Sequence, residues 1–183
     1  MCSSLRGSLF SFLFIMLLAV PAAAITPPES VPEELDVRGA FGVPKGTALR
    51  APTPPQLRAL ESLQSLAGVE LQVRYNGLTA TPNHLLSHDG SLSGPSTGAP
   101  ETIARDFVQR WRSIFRFSDA DLDSLRLTSR ATLPEGTTIV LFEQQVDGVR
   151  VYQGDVLVNL NASGQVLSVG GDSFPELRIT NTR

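Results

Sequence analysis

The most informative part of the sequence runs from residue 138 to residue 160 and reads TIVLFEQQVDGVRVYQGDVLVNL. Apolar and β-branched residues flank an Asp147-Gly148 pair. That pair is typical of a type I′ turn, because both central residues of this turn need a positive φ. The stretch therefore predicts a β-hairpin with strands over 138–146 and 149–160.

Two further strands adjoin this hairpin. On its carboxyl side, residues 161–164 are predicted to turn before a strand over 165–169. On its amino side, Leu125 and Leu127 begin a strand that ends at the Pro134-Glu135-Gly136 turn. The alternating pattern along the whole region predicts a four-stranded antiparallel β-meander.

A long amphipathic helix is predicted before the meander. Pro100 suits the first position of a helix, and Glu101 suits the positive end of the helix dipole. One broad face of this helix carries Ile103, Phe107, Val108, Trp111, Ile114 and Phe115. We expect this face, Trp111 included, to form core against the sheet. Ser118 and Asp121 predict the start of one more helical turn.

An N-terminal helix and hairpin extension is predicted over residues 56–98. Thr53 and Pro54 offer an N-cap and a first helical residue. A leucine then occurs at every third position, at Leu57, Leu60, Leu63 and Leu66. The alternation over 71–75 predicts a strand that turns at Asn76-Gly77.

The fold class expected from these elements is α+β, with the four-stranded antiparallel β-meander packed against one long amphipathic helix. The other face of the sheet is expected either to be solvated or to be covered by the segment 57–66.

The first 24 residues have the features of a secretory signal peptide. Arg6 precedes an apolar run over 9–20, and small residues lead to a predicted cleavage site after Ala24. The run is too short for a spanning helix, so we expect no stable membrane anchor after cleavage. A proline-rich leader is expected over 25–55 and a short tail over 179–183. The predicted location is secreted, either extracellular or periplasmic.

Composition excludes several classes of protein. The chain has 183 residues, 15 Lys and Arg against 18 Asp and Glu, and a formal net charge of −3. Nucleic-acid domains usually carry a concentrated basic face, so we expect no nucleic-acid partner. The only cysteine is Cys2, which excludes an intramolecular disulfide and a cysteine-built metal site.

Few residues offer catalytic chemistry. His84 and His88 have the spacing of paired zinc ligands, but the general-base glutamate of that motif is absent and a strand or loop is expected there. Asp119, Asp121 and Asp123 are interpreted as solvated residues favoured by a helix dipole, with a cation site as the alternative. The prediction is a chain without catalytic residues, metal ligands or cofactors.

The segment from Pro100 to Leu177 resembles the fungalysin/thermolysin propeptide (FTP) domain, as it occurs in the N-terminal propeptide of fungalysin-family secreted zinc metallopeptidases. The resemblance rests mainly on FEQQVDGVRVYQGD at 142–155, with VNL at 158–160 and VGGD at 169–172. It rests also on IARDF at 103–107 and IFRFS at 114–118. The propeptide-like domain is placed at residues 99–178.

The resemblance implies a non-catalytic module that binds a zinc metallopeptidase catalytic domain, in cis or in trans, as intramolecular chaperone and inhibitor. The residues that match the family motif, with structural or binding roles, are Asp147, Gly148, Gly154, Asp155, Gly170, Gly171 and Asp172. No family catalytic residue can be transferred, because the His-Glu-x-x-His sequence is missing.

Three functional hypotheses follow. The first is a propeptide module truncated before its catalytic domain or separated from it. The second is a free-standing exported protease inhibitor or adhesion module without a cognate enzyme in the same chain. The third, an unrecognised enzyme, is disfavoured because reactive groups do not converge in the sequence.

Overall fold

The computed structural model describes residues 49–177. Three predicted segments lie outside the described residues: the signal peptide with its cleavage site at Ala24, residues 25–48 of the leader, and the tail 179–183. The elements, in chain order, are α1 (Pro54–Ala67), β1 (Leu71–Tyr75), β2 (Pro82–Ser87), α2 (Pro100–Arg110), α3 (Arg112–Phe115), α4 (Asp119–Ser124), β3 (Leu125–Thr132), β4 (Thr138–Val146), β5 (Val149–Leu160) and β6 (Val166–Gly170).

The strands form one antiparallel sheet of six, in the order β1-β2-β6-β5-β4-β3. The α+β class and the meander β3 to β6 are confirmed, but the prediction of a four-stranded sheet is wrong. The N-terminal hairpin is not a separate extension, because β2 pairs with β6 and Leu85 lies opposite Val169. This pairing gives hydrogen-bond partners to the outer edge of β6, which a four-stranded sheet would leave open.

The long helix predicted after Pro100 is also wrong in part, because it is broken at Trp111 into α2 and α3. Tertiary contacts replace the continuing helix. The Ile114 carbonyl accepts a hydrogen bond from the Gln56 side chain of α1 at 3.1 Å. Arg116, with φ of 59°, ends α3 and donates to the Thr79 carbonyl at 2.7 Å. Trp111 itself is half-buried and packs against the core, as expected.

Helix α1 begins as predicted, but its leucines are not all buried. Leu60 and Leu63 lie in the core, whereas Leu57 and Leu66 are 46% and 63% exposed. Each residue of an α-helix advances by about 100°, so two residues nine positions apart lie on opposite sides. A repeat of three therefore drifts off the buried face, and Gln56 occupies that face instead.

A single core joins the helices to one face of the sheet. Its largest fully buried side chains include Leu63, Leu85, Ile114, Phe115, Phe142 and Leu160. Because α1 shares this core with α2 and α3, it does not cover the opposite face, which carries no helix of the described chain. None of the helices described between residues 49 and 177 combines the length and the apolar character that a membrane-spanning segment needs.

Candidate functional site

The β4–β5 hairpin turns at Asp147 and Gly148, whose φ angles are 50° and 78°. Val146 and Val149 close the turn as the last pair of the ladder. The type I′ turn expected from the Asp-Gly pair is therefore present. Both turn residues are exposed at the tip of the hairpin.

A large bulge, in which several residues of β5 face one residue of β4, separates this tip from the rest of the sheet. Between two consecutive ladder pairs, β4 contributes only Gln144, whereas β5 contributes residues 151–154. Within the bulge Gln153 has a φ of 58°, in the left-handed region that non-glycine residues avoid. Tyr152 is exposed. The sheet thus presents a short irregular segment of β5 to solvent.

The base of the bulge is tightly held. The Gln144 side chain is buried and makes two hydrogen bonds to the backbone of Phe174. Its Nε2 donates to the Phe174 carbonyl at 3.1 Å, and its Oε1 accepts from the Phe174 nitrogen at 2.8 Å. Gly154 packs directly over it. A Cβ on Gly154 would lie 2.7 Å from a Val151 methyl and 3.3 Å from Gln144 Oε1. Only glycine fits this position without a shift of the surrounding atoms.

After β6 the chain crosses the same region as a carboxyl-terminal strap, defined as residues 172–177. Two side chains from the connection between β1 and β2 bind its start. Asn76 Nδ2 donates to Asp172 Oδ1 at 2.9 Å, and Thr81 Oγ1 donates to the Ser173 carbonyl at 3.1 Å. The N-terminal hairpin is therefore tied to the end of the meander by polar contacts as well as by sheet pairing.

The far end of the strap is bound by Asp121. This buried carboxylate accepts from the Glu176 nitrogen at 2.9 Å through Oδ1. Its Oδ2 accepts from the nitrogen and the hydroxyl of Ser118, at 2.8 and 2.7 Å. The same side chain thus completes the capping box of α4, which the sequence predicts, and fixes the strap.

Where the bulge and the strap join, the Asp155 carboxylate lies near enough to those of Glu143 and Asp172 to be affected by their charges. The Asp155 nitrogen donates to the Asp172 carbonyl at 2.8 Å, and Glu143 pairs with Arg150 at 2.7 Å. Burial raises the pKa of the Asp155 carboxyl. The negative charges of Glu143 and Asp172 raise this pKa further, against a smaller opposing effect of Arg150. The site carries more negative charge than its single arginine compensates.

The structure brings most of the family-motif residues together. Asp155 and Asp172 are bonded through their backbones, Gly154 precedes Asp155, and Gly171 lies against the Asp155 carbonyl. The remaining members lie outside this cluster: Asp147 and Gly148 at the hairpin tip, and Gly170 at the end of β6, opposite Leu157. The structural or binding roles of all seven family-motif residues in a propeptide stay predictions.

Besides Asp121, the residues that anchor the strap are Asn76, Thr81 and Gln144, and the sequence did not predict this role for them. For Gln144 a signal exists in the sequence. The core-facing positions of β4 are 138, 140, 142 and 144. The amide of Gln144 therefore occupies a position at which the alternation predicts an apolar side chain. Buried polar side chains are nearly always hydrogen-bonded, so this position predicts a specific partner.

The histidines and the aspartate series do not form a site. His84 lies in β2, and His88 is exposed in the loop that follows. The interpretation of the aspartates as solvated is wrong for Asp121, which is buried and caps α4. Asp119 and Asp123 are exposed, and Asp119 pairs with Arg112. Within the part of the chain that the structure describes, no three His, Cys, Asp or Glu side chains are grouped to hold a metal ion.

Residues 123–173 match the family model described as the Fungalysin/Thermolysin Propeptide Motif. The matched segment begins in the last turn of α4 and includes β3 to β6, the bulge and the first residues of the strap. It is a propeptide motif and not a catalytic domain. No curated protein shows a significant match to this chain.

Proposed function

We propose that this chain is a secreted, non-catalytic propeptide-type module that binds a zinc metallopeptidase catalytic domain, in cis or in trans, assists its folding and blocks its active-site cleft. The observation that carries the proposal is the match of residues 123–173 to the propeptide motif. The matched segment coincides with the bulge, the meander and the start of the strap.

The construction of this region supports a role in binding. A module that holds another protein needs a surface whose shape is set before the encounter, because ordering flexible groups on binding reduces affinity. Here Gln144, Asp121 and Asn76 fix the strap against the sheet through buried or half-buried hydrogen bonds. The surface is therefore preorganised.

A folding role has a physical basis as well. Secreted proteases often depend on kinetic stability and fold slowly through aggregation-prone intermediates. A folded module that binds the native arrangement of the protease lowers the free energy of states that resemble it. The export features of residues 1–24 agree with a partner that folds outside the cytoplasm.

The proposal is tested with the full chain and the catalytic domain of a fungalysin-family zinc metallopeptidase. In one arm, the chain is titrated into the active protease and peptide hydrolysis is followed. In the other, the denatured catalytic domain is diluted from guanidinium with or without the chain, and the recovered activity is measured. We expect inhibition in the first arm and a higher yield in the second.

An unrelated exported protein of similar size serves as the control in both arms, and gel analysis shows whether the chain stays intact. Absence of both effects at high micromolar concentration would overturn the proposal. Slower peptide hydrolysis that arises only because the chain is consumed as a competing substrate, with no increase in the refolding yield, would also contradict it.

A further inference from the structure

Tyr152, in the bulge of β5, is 84% exposed, the highest value among the large hydrophobic side chains of the described residues. Val149, beside the hairpin turn, is 59% exposed. A tyrosine that is mostly exposed to solvent does not gain the hydrophobic free energy that burial of its ring would provide. Tyrosine is enriched at protein interfaces, where the ring becomes buried and the hydroxyl forms a hydrogen bond with a partner.

The exposure of Tyr152 does not come from a loose loop. Gln153, next to it, is held at a φ of 58°, a conformation that persists in a non-glycine residue only when the surrounding structure enforces it. Gly154 is buried against Val151 and Gln144, and Asp155 is bonded to Asp172. A strained backbone on a tight base therefore presents an aromatic side chain outward. Such strain is concentrated at functional sites.

The same hairpin borders an acidic cleft. Val146 and Asp147 line a cleft of about 760 Å³ together with Asp121 and Glu176 of α4 and the strap. Asp147 and Glu176 are exposed, and Asp123 lines an adjoining depression. The cleft beside the hairpin tip is thus acidic, and Arg150, between Val149 and Tyr152, is paired with Glu143. The cleft fits a partner surface that carries basic side chains.

We propose that Tyr152 and Val149 are the anchor by which this chain docks on the metallopeptidase catalytic domain. Tyr152 enters an apolar pocket of the partner, and basic residues around that pocket face the acidic cleft. This inference rests on the proposed function and assigns the contact surface for it. A second copy of the chain is a poorer occupant, because a two-fold interface would bring two equal acidic clefts together.

The affinity of the full chain for the catalytic domain is measured by calorimetry for the native sequence, Tyr152→Ala, Val149→Thr and Tyr152→Phe. We expect Tyr152→Ala to weaken binding by at least about tenfold, Val149→Thr by less, and Tyr152→Phe least. Binding should also weaken as the salt concentration rises. Leu66→Ala is the matched control, because Leu66 is 63% exposed on α1, outside the matched motif.

Modification of tyrosines provides a second measurement that does not depend on the variants. Bound catalytic domain should slow the iodination of Tyr152 and leave that of Tyr75 unchanged. If the native chain binds, but Tyr152→Ala binds equally well or Tyr152 stays reactive, the docking surface is wrong and the proposed function stands. If the native chain does not bind, both proposals fall.

Discussion

The Asp121 carboxylate accepts the backbone N–H of Glu176 at 2.9 Å and so joins the start of α4 to the end of the strap, 55 residues further along the chain. Removal of this carboxylate, in Asp121→Ala, leaves the nitrogens of Glu176 and Ser118 without their acceptor. We expect the free energy of unfolding to fall by about 1–3 kcal/mol, as for other lost caps and buried hydrogen bonds. Urea denaturation followed by circular dichroism measures the change.

Asp123→Ala is the control for that substitution, because Asp123 is exposed on the same helix. Its effect should stay within about 0.5 kcal/mol. The double variant Asp121→Ala, Ser118→Ala should lose less than the sum of the single losses, because the two side chains share hydrogen bonds. Strict additivity would contradict the capping role of the pair.

Gln144→Ala tests the two hydrogen bonds by which Gln144 holds the strap beneath the bulge. The substitution removes both hydrogen bonds to Phe174 and leaves its backbone N–H and carbonyl without these partners in a half-buried position. We expect a loss of about 2–3 kcal/mol. Gln145→Ala, at the next residue of the same strand, should change stability by less than about 0.5 kcal/mol. Equal effects of the two substitutions would show that the strap does not depend on the hydrogen bonds of Gln144.

Gly171→Ala and Gly170→Ala form a matched pair of neighbours. Gly171 has a φ of 98°, and a Cβ there would overlap the Asp155 carbonyl, whereas the nearest atom to a Cβ on Gly170 lies 3.7 Å away. We expect Gly171→Ala to cost at least about 2 kcal/mol and Gly170→Ala less than about 1 kcal/mol. Thermal melts of both variants check this, and a larger loss for Gly170→Ala would contradict the geometry.

The parts of this fold that follow from the sequence are those set by local chemistry. Asp147 and Gly148 specify a turn through their own φ preferences, and Ser118 with Asp121 specifies the start of a helix within four residues. These predictions are confirmed by the φ angles and by the capping hydrogen bonds.

The parts that could not be predicted depend on residues far apart in the chain. The pairing of His84 with Gly170 makes the sheet six-stranded, and neither β2 nor β6 carries a pattern that names its partner. The strap shows the same limitation. Its anchors are Asn76, in the connection between β1 and β2, and Gln144, in β4. Their polar side chains become informative only when the topology places them beside residues 172–177.

Asp155 makes stability depend on pH. Its pKa is raised in the folded chain by burial and by the nearby carboxylates Glu143 and Asp172, so the folded state binds this proton more tightly than the unfolded state. Stability contributed by this group is then lost as pH rises from the ordinary aspartate value through the raised one. Asp155→Asn should therefore raise the melting temperature at neutral pH, with a gain that disappears in acid, where the carboxyl is protonated in both states.

Asp89 provides the opposite case in the same chain. A hydrogen bond from the Ser87 hydroxyl, at 2.5 Å, lowers the pKa of its carboxyl. Asp89→Asn should therefore lower the melting temperature at neutral pH, slightly because the group is exposed, and the loss should vanish in acid. Melting curves of the native chain and both variants across the acid-to-neutral range test the two signs. A gain for Asp155→Asn that stays constant with pH would show that burial of the charged carboxylate and its repulsion by Glu143 and Asp172 are not its cause.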